Sequence, residues 1–222
     1  MAEKGVIVEF DFAAMDGAGL LFETTKAFLQ KLDGIAFDPH IEARSFAGNT
    51  YLSALTSYFA AVKTKKTAQK AARDIQSAFC AALAEAVPNS VSVAFKNFVG
   101  ALSAKGVKVV IATRAPLEVA KPAFEPVLND LVTLFREESP CYGAVKWDSW
   151  RRACVMNGMS RSSTIAVAGS GFSVKAALVA GIGAVAVEQD RIAYQDFSGA
   201  DAVIGELSAK TAKKVLSVLR VE

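Results

Sequence analysis

Apolar residues recur along this chain with two different periods, and the switch between them divides it. Residues 5–10 (GVIVEF) form a short, β-branched apolar run, which predicts a buried strand. Gly17 and Gly19 end that region. From about Leu20 to Val87 the apolar positions fall at three- and four-residue steps. Leu21, Phe28, Leu29 and Leu32 form one such series, Leu52, Leu55, Phe59 and Val62 a second, and Ile75, Phe79 and Leu83 a third. That spacing predicts helices and no strand, with a break at Gly34 and Pro39. After Pro88-Asn89 the two periods alternate. Helices are predicted over 92–105, 116–129, 148–157, 172–180 and 208–219, several of them stopped by Gly106, Gly158 or Gly181. Strands are predicted over 107–112, 131–135, 164–168, 183–187 and near 202–204.

Strand–helix alternation with apolar strands predicts an α/β fold, a Rossmann-like parallel sheet with helices on both faces. Ligands of such sheets bind at the carboxyl ends of the strands. The helical stretch lies between the first strand and the rest, where a cap over that edge would be placed. The expected division is a core of residues 1–19 and 88–222 with a helical cap of residues 20–87.

Composition narrows the function classes. The chain has 222 residues, 52% hydrophobic and 21% charged, which excludes a disordered chain. A net charge of +3 sets up no strong field, so neither nucleic acid nor a membrane surface is expected as a partner. Lys63, Lys65, Lys66, Lys70 and Arg73 are expected to form a solvated helix face. Cys80, Cys141 and Cys154 are widely spaced with no CxxC, so a reducing, cytoplasmic location is expected. No export signal or long apolar span is read. A single histidine, His40, excludes a two-histidine metal site and is expected in a loop.

Polar residues fall where the predicted strands end. Glu9 and Asp11 close the first run, and Thr113 and Arg114 follow VKVVIA. Lys146 precedes the helix over 148–157, and Gly169-Ser170-Gly171 follows TIAVA. All would meet at one sheet edge beneath the cap. A carboxylate pair, a hydroxyl, cations and a glycine-rich turn opening a helix suit a phosphate-sized anion. The hydroxyl, the lysine and backbone N–H groups donate, while a carboxylate can attack phosphorus or protonate a leaving oxygen. Plainer roles compete. Asp11 and Thr113 can bond loop backbone, Arg114 and Lys146 can be solvated, and the glycines can serve a tight turn.

In order and spacing these segments resemble the haloacid dehalogenase-like hydrolase superfamily, particularly its phosphoglycolate-phosphatase-like branch with a helical cap. That family opens with D-x-D-G-T-L-V-D after a strand, and the matching stretch here is Glu9-Phe10-Asp11-Phe12-Ala13-Ala14-Met15-Asp16. Its second motif, a strand ending in Thr or Ser, matches Val109 to Thr113, and its motif lysine matches Lys146. Its fourth, G-D-S-x-x-G-x-x-A-A-x-x-A-G, matches Gly169 to Gly181 preceded by Ala168. Phe197 to Ile204, with Ala200-Asp201, resembles the branch's last strand.

The resemblance implies a magnesium-dependent aspartyl-phosphate mechanism, with Glu9 and Asp11 as metal ligands, Glu9, Asp11, Thr113 and Lys146 as catalytic positions, and Thr113, Arg114 and Lys146 on the phosphate. The chain departs from the family where it matters most. The nucleophilic Asp is Glu9, the following Gly-Thr is Phe12-Ala13, and the metal-site Asp is Gly169. A second register, with Asp11 as nucleophile, replaces the general acid by Ala13 and still loses Gly169. Two main readings stand. One is a degenerate homologue with little or no phosphatase activity and weak or lost magnesium, binding a phosphorylated metabolite or a partner. The other is an active magnesium-dependent phosphatase using Glu9 and Asp11. A purely structural or oligomeric protein is a third. Restoring Asp at 9 and 169 is expected to raise magnesium affinity and turnover.

Overall fold

The computed structural model describes residues 4–32, 35–192 and 194–221. In chain order the elements are β1 (Gly5–Glu9), α1 (Phe10–Ala13), α2 (Gly17–Gln30), α3 (Pro39–Phe46), α4 (Tyr51–Ala61) and α5 (Ala68–Ser90). There follow α6 (Val93–Ser103), β2 (Lys108–Thr113), α7 (Leu117–Phe124), β3 (Val132–Arg136) and α8 (Trp147–Met156). The chain closes with β4 (Thr164–Ala168), α9 (Gly171–Val179), β5 (Gly183–Val187), β6 (Ala202–Ile204) and α10 (Ala209–Val218).

The six strands form one parallel sheet in the order β3-β2-β1-β4-β5-β6. β1 is therefore central, with Val8 registered against Ile111 on one flank and Val167 on the other. The strands are apolar throughout because both faces are covered, and their alternation decides which helices each face takes. Val6, Val8, Ile165, Val167, Val185 and Val187 turn their bulk to one face, against α6, α10 and the inserted helices. Ile7 and the small Ala166, Ala168, Ala184 and Ala186 face the other way, where α8 and α9 lie close.

Four helices, α2 to α5, stand between α1 and α6 and form the insert. Their phenylalanine and leucine stripes (Leu21, Leu29, Leu55, Phe59, Phe79, Leu83) join the same hydrophobic cluster as Val6 and Val8. A short backbone pairing ties the insert to the loop after β3. The Tyr51 amide donates to the Pro140 carbonyl at 3.0 Å, and the Tyr142 amide to the Asn49 carbonyl at 2.8 Å. Phe46 and Tyr142 stack edge to face across this seam, 4.7 Å between centroids. The insert helices begin on the residues that physical chemistry favours: Asp16, Asp38 and Thr50 each accept a hydrogen bond from their own first turn.

Several expectations change. The first strand stops at Glu9, and Phe10–Ala13 turn once as a helix, which buries Phe10 and Phe12. The helix expected over 116–129 ends at Phe124, because Pro122 and Pro126 withhold two amide donors, and a 3-10 turn follows. His40 lies exposed in the first turn of α3 rather than in a loop. Lys63, Lys65, Lys66, Lys70 and Arg73 are all exposed, but the first three sit on the connection between α4 and α5. Trp147 is exposed, whereas Trp150 is fully buried and donates through Nε1 to the Ser173 carbonyl at 3.2 Å. Gly34, the expected helix break, lies outside the described residues. Among those residues no single helix is long and apolar enough to cross a membrane. α5 and α6 reach that length together, but they meet at 79° and bury Phe79, Leu83, Phe95 and Phe98 in the core.

Candidate functional site

The ends of β1, β2 and β4 bring Glu9, Asp11, Thr113, Arg114 and Gly169 together beneath the insert. Glu9 and Asp11 are each only 2% exposed. All four of their carboxylate oxygens accept hydrogen bonds from the protein. Glu9 takes one from the Ser173 hydroxyl at 2.9 Å and one from the Gly169 amide at 2.9 Å. Asp11 takes one from the Thr113 hydroxyl at 2.6 Å and one from the Arg114 amide at 2.7 Å. Thr113 is occupied twice, since its oxygen also accepts from the Ala115 amide at 3.1 Å.

Burial governs the protonation of this group. Desolvation raises Glu9 from 4.5 to about 8, against the pull of the Gly169 and Ser173 hydrogen bonds and the Arg114 charge. Burial therefore favours its neutral form, and a neutral carboxyl is a poor nucleophile. Asp11 is raised for the same reason, opposed by its bonds to Thr113 and Arg114. Burial also works against the Arg114 charge, but the acidic groups around it (Tyr51, Glu137, Glu9 and Asp11) outweigh that and raise it. Its guanidinium donates to the Cys141 carbonyl at 3.1 Å and the Ala144 carbonyl at 2.6 Å, and lies over the Phe12 ring at 5.2 Å.

The glycine-rich turn opens α9 as expected, yet both of its glycine amides are in use. The Gly169 amide serves Glu9, the Gly171 amide serves the Gln195 side chain at 2.8 Å, and the Ser173 amide serves its cap Ser170. Lys146 directly precedes α8, and the neighbouring Val145 amide donates to the Ser173 hydroxyl at 2.9 Å. The Lys146 backbone is thus beside the group, but its half-buried side chain takes part in no hydrogen bond or ion pair among the described residues. The sequence reading missed Ser173, whose hydroxyl touches Glu9, and Glu137, which follows the end of β3. Glu137 carries the same signal as Glu9, a carboxylate just past a strand. Tyr51 and Tyr142 had no such signal.

Magnesium needs near-octahedral oxygen ligation with free carboxylate oxygens. The residues present do not fit it. Each carboxylate oxygen of Glu9 and Asp11 already accepts one hydrogen bond from the protein. The Asp11 carbonyl packs against Gly17, where a Cβ would fall 1.9 Å from it. At Gly169 a Cβ would fall 2.0 Å from the Phe12 carbonyl oxygen and 2.1 Å from its carbon. The place of a metal-site carboxylate is filled by the backbone of α1. An Asp introduced at 169 would have to displace that backbone. No group of three or more His, Cys, Asp or Glu among the described residues is arranged to hold a metal.

Two cavities border the group. A cleft of about 270 Å³ opens between α1, α2, α3 and the start of α9, with Phe12, Leu21, Phe22, Glu42, Tyr142 and Arg191 in its wall. Glu42 accepts a hydrogen bond from the Tyr142 hydroxyl at 2.6 Å, and Arg191 lies over the Phe22 ring at 5.2 Å. A second cavity of about 170 Å³ lies over the ends of β2 and β3, beneath α4 and α5.

A parallel sheet centred on β1, with a helical insert between its first two strands and polar groups at the strand ends, defines a class of α/β proteins. Its particular form here is the haloacid dehalogenase-like fold. The chain is similar in structure to the β-phosphoglucomutase of Clostridium difficile, at TM-score 0.70 and 11% identity over 98% of this chain and 97% of that one. It is similar to CbbY of Rhodobacter sphaeroides, solved in complex with phosphate, at TM-score 0.68 and 15% identity over 95% and 96% of the two chains. A HAD hydrolase of family IA, variant 3, from Entamoeba histolytica matches at TM-score 0.71 and 16% identity over 98% and 99%. No protein-family model and no curated protein matches the chain by sequence.

Proposed function

We propose that this chain is a non-hydrolytic protein on the haloacid dehalogenase-like fold, which keeps the cleft beneath its helical insert as a binding site for a small molecule. The observation that carries the reading is the Phe12 carbonyl, standing where a metal-site carboxylate would have to stand. Without a metal, and with Glu9 largely neutral near pH 7, the edge holds no activated nucleophile. The paired carboxylates and Arg114 serve to fix α1 against the ends of β1, β2 and β4.

The cleft of about 270 Å³ is larger than the ~150 Å³ that encloses benzene in a dry cavity. Its wall is mostly apolar, with Arg191 half-exposed, which suits a compact molecule with an apolar body and one acidic group. A phosphoryl group entering it meets Arg191, which Asp16 faces at 3.9 Å, while the Thr113 hydroxyl and the Gly169 and Gly171 amides are already engaged. Three free cysteines fit a cytoplasmic setting. The alternative is a magnesium-dependent phosphatase working through Glu9 and Asp11.

The test is a steady-state assay with para-nitrophenyl phosphate, with and without magnesium, on wild type and Asp11→Asn. The expected result is no turnover above the variant in either condition. Magnesium-dependent turnover that disappears in Asp11→Asn overturns the reading.

A further inference from the structure

Glu42 is the buried acid of the apolar cleft. It stands in the first turn of α3, is 7% exposed, and accepts the Tyr142 hydroxyl on Oε1 at 2.6 Å. Tyr142 is held in turn by Thr25, with 3.1 Å between the two hydroxyls. Glu42 Oε2 accepts no hydrogen bond among the described residues and is open to the cleft. A carboxylate oxygen taken out of water calls for a donor, and a charged donor serves it best.

The cation in the same wall is Arg191, which comes from the connection after β5. The insert and the sheet thus each bring one charge to the cleft. The Arg191 charge reaches Glu42, where it opposes the burial that raises the carboxyl. Yet no ion pair joins the two among the described residues. Arg191 lies over the Phe22 ring at 5.2 Å and faces Asp16 at 3.9 Å instead. The Asp16 side chain is 66% exposed, so water screens that contact. Opposite charges that face one cleft without meeting leave room for a molecule carrying both signs side by side. An α-amino acid does so, offering an ammonium to Glu42 and a carboxylate to the guanidinium. Phe12, Phe22 and Tyr142 put aromatic rings in the wall, which suit an aromatic side chain. If ~150 Å³ takes the six carbons of benzene, about 270 Å³ takes roughly eleven heavy atoms, the size of phenylalanine. From these observations we propose that the cleft binds an aromatic α-amino acid, with Glu42 on its ammonium and Arg191 on its carboxylate. The inference rests on the proposed function, in which this cleft is a small-molecule site, and it names the occupant.

The probe is L-phenylalanine, titrated calorimetrically into the full chain. The comparators are 3-phenylpropionate, which lacks the ammonium, and phenethylamine, which lacks the carboxylate. Saturable phenylalanine binding is expected, with each comparator at least about tenfold weaker, the worth of a hydrogen bond between charged groups. Glu42→Gln keeps an oxygen for Tyr142 and puts an amide donor in place of the free oxygen. It should weaken phenylalanine about tenfold and leave 3-phenylpropionate unchanged. Arg191→Gln should weaken phenylalanine and 3-phenylpropionate alike and leave phenethylamine unchanged. Melting curves establish that both variants are folded. No saturable phenylalanine binding at millimolar concentration overturns the proposal, as does an affinity unmoved by Glu42→Gln. Equal binding of 3-phenylpropionate also overturns it, while leaving the cleft as a small-molecule site. Magnesium-dependent turnover of para-nitrophenyl phosphate is a separate result, which removes the non-hydrolytic reading and not the pairing of Glu42 with an ammonium.

Discussion

Arg114 touches two groups of buried acids that meet burial in opposite ways. Glu9 and Asp11 have every carboxylate oxygen paired within the protein. Glu137 keeps one carboxylate oxygen with no partner, and Tyr51 Oη has only the Arg114 guanidinium beside it. The first arrangement behaves as structure: its hydrogen bonds join β1, β2 and the start of α9. The second is costly as it stands, since an unpaired buried polar group costs ~1–3 kcal/mol. Exposure does not separate the two, as all four residues are below 5%. What separates them is where their hydrogen bonds end.

The hardest test of the closed group is Gly169→Asp. Its Cβ would meet the Phe12 backbone at 2.0 Å, and a backbone neighbour cannot swing aside as a side chain can. A loss of about 3 kcal/mol or more is expected, with no gain in magnesium affinity. Thermal unfolding and magnesium titration check both. A folded variant that binds magnesium tightly would show that α1 moves and would break the comparison.

Next in size is Glu9→Gln at alkaline pH. Glu9 goes from 4.5 unfolded to about 8 folded, so the folded state holds the extra proton between those values. Stability from this group is therefore full below 4.5, falls as pH rises through that window, and is gone above about 8. Gln has no charge to desolvate. The variant should match wild type near pH 5 and exceed it by a few kcal/mol near pH 9, read from melting curves across pH. A difference that stays flat with pH would mean that Glu9 ionises without penalty.

Much of this was legible in the sequence, and the failures have physical causes. All six strands were found within a residue or two, because strands covered on both faces are short apolar runs bounded by glycine and polar residues. The helix over 116–129 came out long because apolar spacing continued past Pro122, whose missing donor mattered more. Glu9, Asp11, Thr113 and Arg114 were readable as polar residues at strand ends. The departure at Gly169 was also readable, but only as a lost carboxylate. That the Phe12 backbone fills its place is a property of chain path, not of any side chain's identity. Tyr51 and Glu137 come from segments 86 positions apart in sequence, and no local pattern marks a pair joined only by packing of the insert on the sheet.

The two smallest effects set the two groups side by side. Thr113→Val keeps the shape of the side chain and removes the 2.6 Å hydrogen bond to Asp11 and the acceptor of the Ala115 amide, leaving a buried carboxylate oxygen and a buried amide unpaired. It should cost about 1–3 kcal/mol in urea unfolding. Tyr51→Phe also removes one buried hydroxyl, but its neighbour, the Arg114 guanidinium, keeps its bonds to the Cys141 and Ala144 carbonyls. In ligand-free protein its effect should lie within about 0.5 kcal/mol of zero, on the stabilising side if water does not reach the oxygen. A loss as large as that of Thr113→Val would mean that Tyr51 Oη is already tied into the fold. The contrast between a closed and an open group of buried acids would then fail.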